Sequence, residues 1–182
     1  MKKKIMIDAG HGPETAGKRS PDGTLREFTF NEATAECLRK LLIAEGFTVI
    51  FSHDQTRDVS LSERISLANK LKVDAFVSIH ANAFGSDWNE SQGIETYTCL
   101  IASKTSTRMA SYVQQALIMR TGRKNRGVKK ADFAVLRETT MPAILVECGF
   151  MTNKEEANLL KSTNYQQQCA QAIFFGILCS LK

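Results

Sequence analysis

The stretch Phe76-Val77-Ser78-Ile79-His80-Ala81-Asn82-Ala83 decides the fold. Its first part, Ala75–His80, is a short apolar run that reads as a buried strand ending in polar chemistry. Two further stretches have the same form. One is Ile5-Met6-Ile7-Asp8-Ala9-Gly10-His11-Gly12, and the other is Ile144-Leu145-Val146-Glu147-Cys148-Gly149-Phe150. Working outward, Lys4–Ala9 is a first strand, and residues 10–26 form a loop carrying four glycines and two prolines. Apolar residues Phe30, Ala33, Cys37, Leu38, Leu41 and Leu42 recur at helical spacing over Glu27–Glu45, and Gly46 stops that helix. Phe47–Phe51 is a second strand. Ser60 and Glu63 form a capping box for a helix through Leu71. Ile94–Cys99 and Ala143–Val146 are the remaining strands. Helices are expected over 104–121, after the Asn153/Glu156 cap, and over Asn164–Leu181. Strands alternating with helices give an α/β sandwich with a largely parallel sheet. In such sheets, sites lie beyond the carboxyl ends of the strands.

The chain has 182 residues, which fits one domain over 1–182. Hydrophobic residues make up 43% and charged residues 24%, a globular balance that excludes a disordered or fibrous chain. No apolar run approaches the roughly 20 residues of a membrane helix. The opening Met1-Lys2-Lys3-Lys4-Ile5-Met6-Ile7-Asp8 is basic and then apolar, but it ends at Asp8, too early for a signal peptide. Synthesis in the cytoplasm is therefore expected, with release by lysis, or separation from a longer protein. The five cysteines are odd in number and form no Cys-x-x-Cys pair, so free thiols are expected. The 24 basic and 19 acidic residues give 24 − 19 = +5, which favours a polyanionic partner. Arg120, Arg123, Lys124, Arg126, Lys129 and Lys130 put six of those positive charges within 11 residues. That segment reads either as a solvated loop or as a contact for an anionic partner.

Two of the three histidines, His11 and His80, sit at strand ends. Glu27 opens the first helix beside the first strand. Two imidazoles and one carboxylate make a three-ligand catalytic zinc set with a fourth position left for water. Each residue also has a plainer reading: a hydrogen-bonded structural histidine, or a first-turn carboxylate favoured by the helix dipole. Glu147 follows the apolar run Ala143–Val146. Burial there raises a carboxyl's pKa and suits a general base and acid; a buried ion pair is the plainer alternative. His53 reads as surface loop. Gly12-x-x-x-x-Gly17-Lys18 imitates a phosphate-binding loop but has Arg19 where Ser or Thr should hold magnesium, so nucleotide binding is set aside. No stacking array or recognition motif points to nucleic acid.

These segments, together with Glu27-Phe28-Thr29-Phe30-Asn31, Asn125-Arg126-Gly127-Val128-Lys129 and Leu136–Phe150, resemble the zinc-dependent N-acetylmuramoyl-L-alanine amidases of bacterial autolysins and phage endolysins. The similarity runs from about Lys4 to Leu181. It implies a three-layer α/β/α sandwich around a mostly parallel, mixed, twisted sheet of about six strands. It also implies one Zn2+ held by His11, Glu27 and His80, with Glu147 as the catalytic carboxylate. The bond cleaved would join the lactyl group of N-acetylmuramic acid to L-alanine of the stem peptide. Asn82 and Arg126 are expected substrate contacts, bacterial peptidoglycan is the expected partner, and a monomer without membrane insertion is the expected form. A zinc carboxypeptidase acting on the stem peptide and a non-catalytic wall-binding module are the alternatives.

Overall fold

The computed structural model describes residues 2–181; Met1 and Lys182, the two ends of the expected domain, lie outside the described residues. In chain order the elements are β1 (Lys4–Ala9), α1 (Glu27–Ala44), β2 (Thr48–Phe51), α2 (Leu61–Leu71), β3 (Ala75–Asn82), β4 (Ile94–Thr98), α3 (Lys104–Thr121), β5 (Asn125–Lys130), α4 (Ala134–Arg137), β6 (Ala143–Phe150), α5 (Lys154–Lys161) and α6 (Thr163–Leu181). They form a six-stranded sheet in the order β2-β1-β3-β6-β4-β5. All neighbours pair in parallel except β4 with β6, so β4 and β5 run against the other four strands. The sheet is thus mixed and mostly parallel, with helices on both faces.

The two faces are covered unequally. On one face Ile5, Ile7, Val77, Ile79, Ile144, Val146 and Cys148 are buried with Phe30, Leu38 and Leu42 of α1, Met109, Val113 and Leu117 of α3, and Ile173 and Ile177 of α6. Each such side chain contributes about 1.5–3 kcal/mol when fully buried. On the other face Met6, Phe76 and Leu145 pack with Ile65 and Ala68 of α2 and with Val135 and Leu136 of α4. There the apolar cover stops. Alternation places Asp8, Ser78, His80 and Glu147 next along this face, and the register aligns Asp8 with Ser78, His80 with Glu147, and Glu147 with Glu95. A polar row therefore crosses four strands, β1, β3, β6 and β4, where α2 and α4 no longer cover the sheet.

The elements follow their sequence signals closely. Ser60 and Glu63 form both bonds of the capping box that starts α2. Asn153 caps α5 by accepting the Glu156 N–H, but the Glu156 carboxylate bonds elsewhere. It accepts from Gly93 N (2.9 Å) and Phe150 N (2.8 Å), which ties the approach to β4 to the end of β6. Two features differ from expectation. β3 and β6 continue past His80 and Val146, so His80 is not the last residue of its strand and Glu147 stands within a strand rather than after it; their pairing register shifts between His80 and Asn82. The basic segment is neither loop nor free patch in its second half, because Asn125–Lys130 is the edge strand β5.

α3 and α6 meet at Gly176, where an added Cβ would lie 2.3 Å from Val113 Cγ2 and 2.7 Å from Val113 N. The backbone contact cannot yield as a flexible side chain would. Gly176→Ala should therefore lower the melting temperature by about 2–10 °C, the effect of overpacking by 1–3 kcal/mol in a domain of this size. A circular-dichroism melt identical to that of the wild type would contradict this tight approach.

Candidate metal centre and catalytic carboxylate

Three separate elements bring His11, Glu27 and His80 together. β1 ends at Ala9, and the Gly10 N–H still pairs with Ile79 O at 3.0 Å. His11 then adopts a left-handed backbone with φ 66°, a conformation uncommon for a residue with a side chain. Arg64 steadies this turn by donating to Ala9 O at 2.7 Å and to His11 O. Gly10 makes room for the second imidazole, since a Cβ there would lie 2.0 Å from His80 Cε1. Glu27 starts α1, and its N–H is held by Lys18 O at 2.9 Å. Asn31, one turn later and fully buried, donates to Gly10 O at 3.0 Å and ties α1 to the end of β1.

The Glu27 carboxylate lies between the two imidazoles. His11 Nε2 is 3.1 Å from Oε2, and His80 Nδ1 is 2.9 Å from Oε1. Burial alone would raise the Glu27 pKa, but hydrogen bonds and charge from His11 and His80 outweigh it and hold it at about 2. One donor atom from each of the three residues lies within 4.8 Å of the others. Such a donor set could hold a cation through nitrogen and carboxylate ligands.

Glu147 stands beside His80 on β6. Its Oε2 is buried and meets no hydrogen-bond partner among the described residues. Burial pushes its pKa up to about 7; His80 opposes this, and Glu27 and Glu95 add to it. Glu95 is the opposite case. It is 3% exposed, yet it accepts from Asn82 Nδ2 (2.8 Å), Tyr97 Oη (2.8 Å) and Arg126 Nε (2.7 Å), with Lys129 Nζ also at its carboxylate. Burial would raise its pKa, but these donors outweigh it and hold it below the usual range.

Two clefts meet at His11, Lys18, His80 and Glu147. One, about 620 Å³, runs toward Leu61, Phe133 and Val135. The other, about 400 Å³, runs toward Asn82, Gly85 and Met151. Asn82 therefore lines a cleft while bonded to Glu95. Arg126 is also bonded to Glu95 and lies with its Cζ 4.9 Å from the centre of the Phe150 ring. Much of the basic segment is matched within the chain: Arg120 donates to Gln171, Arg123 pairs with Glu155, and Arg126 and Lys129 pair with Glu95. His53 is not a surface-loop side chain. Its ring lies 4.5 Å from that of Phe51, its Nδ1 accepts the Ala9 N–H at 3.1 Å, and burial holds its pKa down to about 4. Sequence reading missed Glu95, Ser78 and the Asp8–Arg64 pair. The available signal was an acid within an otherwise apolar or β-branched strand.

A family model described as N-acetylmuramoyl-L-alanine amidase matches residues 5–179. The chain belongs to that family. The catalytic domain of the amidase CwlV from Bacillus (Paenibacillus) polymyxa var. colistinus is 35% identical, with a TM-score of 0.90 over 98% of each chain. The N-acetylmuramoyl-L-alanine amidase from Clostridium difficile 630 is 35% identical with a TM-score of 0.92, covering 99% of this chain and 97% of that one. The N-acetylmuramoyl-L-alanine amidase LytC of Bacillus subtilis is 36% identical over 173 residues, which are 94% of this chain but 34% of LytC. This chain thus spans about a third of the length of LytC, and its own function is that of a peptidoglycan amidase.

Gly10→Ala tests the geometry of this amidase centre. The new Cβ displaces the His80 ring, so if the three donors hold a cation, affinity for added zinc should fall at least about tenfold, as when a ligand loses its orientation. Far-ultraviolet circular dichroism should be unchanged. Unaltered affinity in a chelator competition would show that His80 is not held where the three donors converge.

Proposed function

We propose that residues 1–182 act as one catalytic domain that hydrolyses the amide between the lactyl group of N-acetylmuramic acid and L-alanine, with one Zn2+ held by His11, Glu27 and His80. The observation that carries this reading is the convergence of those donors beside a buried carboxylate oxygen that has no hydrogen-bond partner among the described residues. Two imidazoles and one carboxylate match a catalytic zinc donor set. When bound, zinc polarises a carbonyl and makes a water acidic near neutral pH. Glu147 takes the proton of the attacking water and delivers it to the leaving L-alanine nitrogen. Lys18, which lines both clefts, faces the reacting region with positive charge. Asn82 and Arg126, oriented by Glu95, contact the substrate. The enzyme acts on bacterial peptidoglycan as a monomer. No helix among the described residues is long and apolar enough to cross a membrane.

Mass spectrometry of products from purified peptidoglycan tests the reaction. Free stem peptides with new L-alanine amino termini should appear and should vanish with a zinc chelator. Trimmed peptides still attached to sugar would instead identify the carboxypeptidase, and an intact wall would identify a binding module. Glu147→Ala should keep zinc and lose turnover; more than a tenth of the wild-type activity would remove Glu147 from its role.

The pH profile gives a second test. A general base works ionised, so kcat/KM should rise with pH as Glu147 loses its proton. The pKa of about 7 is that of the site without a cation. A bound dication favours the carboxylate and moves the acid limb below 7. Glu147→Gln should abolish that limb together with activity, whereas a limb above 7 in the zinc enzyme would contradict the assignment.

A further inference from the structure

Behind the three donors lies a buried polar group that the reaction itself does not use. Asp8 and Arg64 are each 2% exposed and Ser78 is fully buried. Arg64 Nη1 donates to Asp8 Oδ1 at 2.6 Å, and Ser52 Oγ donates to the same oxygen at 2.5 Å. Arg64 Nε donates to Val59 O at 2.9 Å, so the guanidinium is fixed at several points. The other Asp8 oxygen, Oδ2, lies 2.5 Å from Ser78 Oγ. Ser78 Oγ in turn lies 3.0 Å from His80 Nε2.

The direction of each hydrogen bond in this chain is forced. Asp8, paired with Arg64, is a carboxylate and can only accept. The single hydroxyl proton of Ser78 must therefore go to Asp8. With that proton committed, Ser78 Oγ is an acceptor toward His80, so Nε2 must carry hydrogen. The remaining nitrogen, Nδ1, donates to Glu27 Oε1 at 2.9 Å without a cation, and it is the nitrogen whose proton a cation can replace while Nε2 keeps its own. We propose that Asp8 and Ser78 are positioning residues that fix the tautomer of His80, so that Nδ1 is its metal-binding atom. The proposal rests on the reading of His80 as a zinc ligand. A histidine ligand usually donates its second N–H to a carboxylate, carbonyl or water, and losing that partner typically costs 10–100-fold in metal affinity. Here a hydroxyl passes the effect of the carboxylate on to the ring.

The chain has three histidines, so 15N-imidazole spectra resolve each ring. The experiment compares zinc-loaded wild type and Ser78→Ala by long-range 1H–15N NMR, and measures zinc affinity by competition with a chromophoric chelator. In the wild type, His80 should show a protonated Nε2, slow to exchange, and a metal-bound Nδ1. In Ser78→Ala the Nε2 proton should exchange rapidly, and zinc affinity should fall 10–100-fold while the melting temperature of the metal-free protein stays near that of the wild type. Asp8→Asn sharpens the test. An amide hydrogen directed at Ser78 frees the hydroxyl proton to point at His80 Nε2 and favours the wrong tautomer. This variant should bind zinc more weakly than Ser78→Ala although it is one residue further from the ring; if it fails to fold, Ser78→Ala decides alone. A His80 bound through Nε2, or a Ser78→Ala protein that binds zinc as tightly as wild type, overturns the proposal. Zinc bound by neither wild type nor variant would overturn the ligand assignment itself.

Discussion

One buried carboxylate organises this molecule's site. Glu27 is 3% exposed and its charge is met by two imidazoles that arrive on different elements. An uncompensated charge at that depth would cost several kcal/mol, so the loop after β1, the start of α1 and the body of β3 must all hold their places together. Gly10 provides the space, the left-handed backbone of His11 turns one ring inward, and the bond from Glu27 N to Lys18 O anchors the helix start. The same convergence that compensates Glu27 leaves one donor atom from each of the three residues within 4.8 Å of the others.

The site is open because of how polarity is distributed along one face of the sheet. α1, α3 and α6 cover the opposite face, while α2 and the single turn α4 cover only the lower part of this one. Above the Met6–Phe76–Leu145 layer the inward positions turn polar. The reversed direction of β4 and β5 brings their starting residues to the same end, so Glu95 falls opposite Glu147. These two aligned carboxylates then diverge. Glu95 is surrounded by cationic and neutral donors and stays ionised. Glu147 Oε2 has no donor among the described residues, and its proton affinity rises toward neutrality. Paired carboxylates with opposed environments are a common way to divide positioning from proton transfer.

Much of this was legible in the sequence. The strands built from apolar residues and the capped helices stand out because their signals are local: periodicity, capping residues and glycine stops. His11, His80 and Glu147 could be named because chemistry at the ends of apolar strands is rare, and Glu27 because it opens the first helix beside the first strand and matches the family pattern. β5 was hidden because Asn125–Lys130 has no apolar pattern; it is an edge strand whose Arg126 and Lys129 are compensated by Glu95 on β4. His53 was misjudged because a polar residue after a short strand normally faces solvent, whereas here Phe51 and Phe28 enclose it. Glu95 and Arg64 were invisible for a related reason. A buried charge makes sense only with its partner, and the partners lie 31 and 56 residues away.

The most direct test of the site is anomalous diffraction at the zinc edge from crystals of the wild-type protein grown with zinc. A single strong peak is expected, bonded to His11, Glu27 and Nδ1 of His80, with the Glu147 carboxylate close by but outside the coordination sphere. A peak that includes Glu147 as a ligand, or that lies away from these three residues, would contradict the division between metal ligands and proton carrier.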